Sequence, residues 1–128
     1  MQELLMSVQT NQYAGFGYWL DYKQAEAALE AKYDTDQIED IFDKYHDSAF
    51  DKKIVEINGF SMITDGMDGN YFFFGKIDAK SEVYEPLNVT IAKIPSTKVK
   101  KSLKEEIVNV FGTDFNMKPV SLVFTHYR

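Results

Sequence analysis

The chain has 128 residues, 45% of them hydrophobic and 15% aromatic, which suits one domain with a sizeable core and excludes a disordered composition. It contains no cysteine, so disulfides, thiolate metal sites and cysteine nucleophiles are excluded. The net charge is −6 and the one arginine is Arg128, which argues against a surface that reads phosphates or bases through bidentate guanidinium contacts.

Residues 1–11 have no clear period, and Leu4, Leu5, Met6 and Val8 suit a short strand or a docked turn. Gln12 to Leu20 alternates, with Tyr13, Gly15, Gly17 and Trp19 on one face and Ala14, Phe16, Tyr18 and Leu20 on the other. Aromatics on both faces point to a strand covered on both sides. Its two same-face glycines fit a close backbone approach or a bulge; the simpler reading, a glycine-softened edge strand, is favoured here.

Two helices are expected next, over about 22–33 and 35–47. Asp21 with Gln24 and Asp34 with Gln37 each have capping-box spacing. Tyr22, Ala25, Leu29 and Tyr33 form the stripe of the first, and Ile38, Ile41, Phe42 and Tyr45 that of the second. The short join makes them an αα-hairpin.

A ladder of strands follows. Asn58-Gly59 separates residues 53–57 from residues 60–64, the signature of a two-residue hairpin turn. Residues 65–70 read as a second turn before a strand over about 71–79, whose Phe72 and Phe74 oppose Tyr71, Phe73 and Ile77. Residues 87–94, bounded by Pro86 and Pro95, alternate as a half-buried strand. A third helix is expected over about 97–111, starting at Ser96 or Thr97, or later at a Ser102–Glu105 capping box. Gly112 suits its C-terminal cap. Residues 120–127 form the last strand, and the helix before it permits parallel pairing with an earlier one.

The fold expected is therefore a single α+β domain over residues 1–128. An antiparallel sheet of about five or six strands packs with three helices, chiefly on one face. The order is strand, two helices, four strands, helix, strand. The expected core is Phe16, Trp19, Leu29, Ile38, Ile41, Phe42, Val55, Ile57, Phe73, Ile77, Val89, Ile91, Leu103, Ile107, Phe111, Leu122 and Phe124.

No Walker A motif, dinucleotide fingerprint or HExxH occurs. His46 lies near Asp43 and Asp47, but one imidazole with carboxylates is most simply a cation at a helix C-terminus. His126 sits in a strand among apolar neighbours and reads as structural. Asp65 to Asn70 lacks the acid spacing of a calcium loop and reads as a turn, with Met67 and Asp68 as contact residues at its tip. No catalytic residue, metal or cofactor is assigned. Asn88-Val89-Thr90 reads as strand rather than as a glycosylation site.

Charge is uneven: residues 1–70 hold 14 acids and 5 bases, net −9, and residues 71–128 hold 6 acids and 9 bases, net +3. The acids concentrate on the helix pair, at Glu26, Glu30, Asp34, Asp36, Glu39, Asp40, Asp43 and Asp47. The bases concentrate at Lys93, Lys98, Lys100, Lys101 and Lys104. Each set is accounted for by solvated helix surface, and each also offers a binding face. The leading expectation is a non-enzymatic accessory or inhibitory protein acting by protein contact through Asp36, Glu39, Asp40, Asp43, Met67, Asp68, Lys98, Lys100, Lys101 and Lys104. Self-assembly, acidic helices against the lysine segment, is one form of it. An alternative is a binder of nucleotide-like or aromatic anions, stacking them on Trp19 and Tyr71 with lysines supplying charge. A third is a hydrolase or metal enzyme around His46. Nucleic acid is not an expected partner. No signal peptide or membrane-length apolar run is present, so a cytoplasmic location is expected. Acidic, lysine over arginine and rich in Tyr and Phe, the composition has the character of a phage or AT-rich bacterial accessory protein.

Overall fold

A computed structural model describes residues 10–45, 59–65, 69–81 and 95–127 of the chain. Its elements are β1 (Thr10–Leu20), α1 (Tyr22–Lys32), α2 (Thr35–Tyr45), β2 (Ser61–Thr64), β3 (Phe72–Ser81), α3 (Thr97–Phe111) and β4 (Val120–Tyr127). The architecture is α+β; the described residues form three helices on a four-stranded antiparallel sheet in the order β2-β3-β1-β4. Four strands stand among the described residues where five or six are expected. Two of the expected strands, over residues 53–57 and 87–94, lie outside the described residues, as do residues 46–47 of the second predicted helix. β4 pairs antiparallel with β1, so among the described strands the parallel pairing that the helical crossover permits is not used.

β1 is an interior strand, flanked by β3 and β4, which corrects the edge-strand reading. Its glycines allow a close backbone approach. Gly17 pairs with Gly75, and a Cβ added to Gly17 would lie 2.4 Å from the Phe74 carbonyl oxygen and 2.6 Å from Gly75 Cα. No side chain fits there, and the Phe73 ring fills the space above instead. Beyond the next two pairs, Phe16 with Lys76 and Gly15 with Ile77, the register shifts between Ala14 and Gly15, leaving Asp78 as the extra residue of a bulge in β3. The two features foreseen as alternatives both occur.

The sheet separates two apolar clusters. On one face Phe16, Tyr18, Leu20, Met62, Phe72 and Phe74 meet Ala25, Leu29, Tyr45, Leu103, Ile107, Val110 and Phe111 of the helices. On the other face Tyr13, Ile63, Tyr71, Phe73 and Phe124 pack together with Trp19, Ile77 and Leu122 at their margin. No residue of the three helices belongs to this second cluster, so the helices sit on one face as the pattern predicts. Phe73 is nonetheless 0% exposed. Most predicted core residues within the described part are buried or half-buried. Phe42 is the correction, at 37% exposed. Its ring approaches Phe72 at 6.1 Å between centroids, but the space between α1 and α2 that both rings line is left unfilled.

Local chemistry sets the helix ends. The Asp34–Gln37 capping box is complete: Gln37 N–H donates to Asp34 Oδ1 at 2.8 Å, and Asp34 N–H donates to Gln37 Oε1 at 3.0 Å. Asp21 caps α1 one way only, accepting from Gln24 N–H at 3.1 Å. α1 stops at Lys32, because Tyr33 turns extended and serves as the cap. α3 begins at the earlier of its two candidate starts, with Ser96 Oγ accepting from Val99 N–H at 3.3 Å. The early start places lysines against the positive end of the dipole, costing tenths of a kcal/mol each. It also lets Val99 pack on the core, a burial of about 1.5–3 kcal/mol when complete, and packing wins. Gly112 ends the helix at φ 76°.

Between β2 and β3, Asp65 organises the turn from its described ends. Its N–H donates to Tyr71 O at 3.0 Å, its carbonyl accepts from Gly69 N–H at 3.0 Å, and its carboxylate accepts from Asn70 N–H at 3.0 Å. This is a turn, as expected. A second turn, unforeseen, joins α3 to β4. Phe115 and Asn116 both have positive φ (57° and 55°), with Met117 N–H donating to Asp114 O at 3.1 Å, the signature of a type I′ turn.

Candidate functional site

The sequence-derived binding residues are distributed over separate surfaces. Asp36, Glu39, Asp40 and Asp43 lie on α2 and are all exposed. Lys98, Lys100, Lys101 and Lys104 lie on α3 and are also exposed. Lys100 Nζ stands over the Phe16 ring, 5.7 Å from its centroid, so its stem covers core rather than reaching outward. Met67, Asp68, His46, Asp47 and Lys93 lie outside the described residues. His126 falls on β4 opposite Asn11.

Trp19 and Tyr71 come together, but against each other. Their rings stack at 4.6 Å between centroids and 14° between planes, so their inner faces are already occupied. Both lie on the sheet face away from the helices, whereas Lys98–Lys104 ride on α3 above the opposite face. The sheet therefore separates the aromatic pair from these lysines.

A different arrangement emerges between α1 and α2. A groove of about 270 Å³ is lined by Tyr22, Glu26, Leu29 and Glu30 from α1, Thr35, Ile38, Glu39 and Phe42 from α2, and Phe72 from the sheet. Helical spacing produces this lining directly. Positions 22, 26, 29 and 30 form one stripe, and positions 35, 38, 39 and 42 another. The two-residue join Tyr33–Asp34, locked by the capping box, sets the stripes facing each other. Leu29 and Phe72 are the buried floor, Tyr22 and Ile38 the half-buried walls, and Phe42 the exposed lip. Glu26, Glu30 and Glu39 are exposed and stand at the rim. Of the described acidic residues singled out as binding residues, only Glu39 reaches the groove. Glu26 and Glu30 were legible as part of the acidic face. The contribution of Tyr22, Phe42 and Phe72 was not, because their stripes read as core.

The helix layer holding this groove is braced from behind. Tyr33 Oη donates to the Val110 carbonyl at 2.8 Å, and Lys32 Nζ donates to the Asn109 carbonyl. Both carbonyls belong to the last turn of α3, which has no basic residue of its own there, so α1 supplies the missing cation. Tyr45 Oη donates to Glu106 Oε1, joining the end of α2 to α3. Burial, and then that hydrogen bond to a carboxylate, push the Tyr45 phenol well above its ordinary 10.0. Tyr18 is also raised, by burial and then by the Asp114 charge.

No helix among the described residues is long and apolar enough to cross a membrane. No family model, curated protein or solved structure matches the chain.

Proposed function

We propose that the protein is a non-enzymatic binding module that receives an amphipathic, lysine- or arginine-flanked segment of another protein in the α1–α2 groove. The observation that carries this reading is the lip residue Phe42, which is 37% exposed over an apolar floor with three carboxylates around it. A phenylalanine side chain has about 200 Å² to bury, so covering the exposed part removes roughly 75 Å² from water, worth about 2 kcal/mol. Each rim carboxylate, being exposed, contributes about 0–1 kcal/mol to affinity. Phe42 therefore supplies strength, while Glu26, Glu30 and Glu39 select the sign of the partner's charge and speed encounter. Helix-in-groove recognition uses this combination of apolar anchors and charged flanks.

The test is a calorimetric titration with two designed helical peptides that share a leucine stripe, one flanked by lysines and one by glutamates. The lysine peptide is expected to bind at least tenfold more tightly, and Phe42→Asp to weaken it at least tenfold while leaving the far-ultraviolet circular dichroism unchanged. Equal affinity for both peptides, or indifference to Phe42→Asp, would sink the proposal.

A further inference from the structure

Beyond the groove, α3 carries a surface that matches it. Leu103, Ile107, Val110 and Phe111 of this helix are buried. On its opposite side, Lys101, Lys104, Glu105 and Val108 border a shallow open depression. These positions run i, i+3, i+4, i+7, so they form one outward stripe. Val108 is 43% exposed at its C-terminal end. Lys98 lies one turn before Lys101 and adds a further positive charge that outweighs Glu105.

We infer that the segment received by the α1–α2 groove is this face of α3 on a second copy of the chain, with Val108 entering beside Phe42 and Lys101 and Lys104 reaching Glu26, Glu30 and Glu39. The inference rests on the reading of the groove as a binding site and names its occupant. Charge complementarity favours it: the charged residues lining the groove are all acidic, and Val108 follows two lysines on its stripe. Lysine stems lie along apolar surface while their ammonium groups reach a rim, as such a fit requires. The two surfaces are different parts of one molecule, so the contact is head-to-tail rather than two-fold. Their relative orientation is fixed, because α1, which lines the groove, also holds the end of α3 through Lys32 and Tyr33. Each added copy therefore meets its neighbour at the same angle.

Multi-angle light scattering of the full chain over a concentration series tests this. Wild type is expected to rise above 14.8 kDa as concentration increases. Val108→Asp retains the groove and loses the apolar contact on α3, and Phe42→Asp does the reverse. Both positions are exposed, and each variant alone is expected to remain at the monomer mass. Their equimolar mixture is expected to form a 1:1 dimer that grows no further, because only one productive pairing remains. If Phe42→Asp fails to fold, the pair Glu30→Lys and Glu39→Lys takes its place. A wild type that stays monomeric to millimolar concentration overturns the inference. So does a mixture that fails to associate, or a single variant that assembles as wild type does. If wild type is monomeric yet the lysine-flanked peptide still binds, the groove reading stands and only its occupant is wrong. If neither associates, both fall.

Discussion

A methyl group at Gly17 has no room. Its nearest neighbours are the backbone of Phe74 and Gly75, which cannot turn aside as a side chain end can. Gly17→Ala is therefore expected to destabilise the fold by at least about 1–3 kcal/mol, read as a lower midpoint in urea denaturation. The phenols of Tyr18 and Tyr45 make a second prediction. Both titrate higher in the folded chain than the ordinary 10.0, so folding keeps them protonated where the unfolded chain would release the proton. Their contribution is complete below pH 10 and is lost as pH rises from there through the folded-state values. For Tyr45, whose shift is large, the slope approaches about 1.4 kcal/mol per pH unit. Urea midpoints measured between pH 9 and pH 11 should fall, and Tyr45→Phe should flatten the fall. A profile identical in wild type and variant would remove Tyr45 from the account.

Helix ends behave as the chemistry of their caps dictates, and here the sequence was easy to read. Asp21, Asp34 and Gly112 each occupy the cap assigned to them. Asp34→Ala should cost about 1 kcal/mol by urea denaturation, since it removes the carboxylate that accepts from Gln37 N–H. Less legible was the cap that α1 provides for α3. Tyr33 and Val110 are 77 positions apart, and no local pattern announces their hydrogen bond. Tyr33→Phe should cost about 1 kcal/mol and speed amide exchange in the last turn of α3 more than at its start. Uniform acceleration along the helix would assign Tyr33 to general stability instead. The strand with alternate aromatic and glycine residues was legible in its two covered faces, but its place within the sheet was not. Whether glycines soften an edge or permit an approach depends on what lies opposite, and Gly75 lies opposite.

At the scale of the whole molecule, the three consecutive phenylalanines Phe72, Phe73 and Phe74 join the two cores. Phe72 and Phe74 face the helices, Phe73 faces the glycine floor, and all three are buried. Phe73→Ala should cost about 3–5 kcal/mol in urea denaturation, as much as Phe74→Ala, although no helix residue belongs to its cluster. A much smaller cost at Phe73 would mean that the second face is loosely packed. The groove and the α3 stripe belong to this scale too. They exist because three helices share one sheet face without filling the space between the first two.

By itself the sequence determined the α+β class, the three helices with most of their caps, the hairpin turn at Asp65 and the separation of acidic from basic surface. Those features are local: they follow from periodicity, from cap residues and from turn residues, whose partners lie within a few positions. Only the tertiary structure decided that β1 is interior, that Trp19 and Tyr71 stack on each other, and that Phe42 stands exposed above a groove. Each of these depends on which distant element lies alongside. A helix stripe records that a residue seeks an apolar neighbour, but not whether the fold provides one. At Phe42 it provides the Phe72 ring, and the unfilled groove that both rings line is the candidate site.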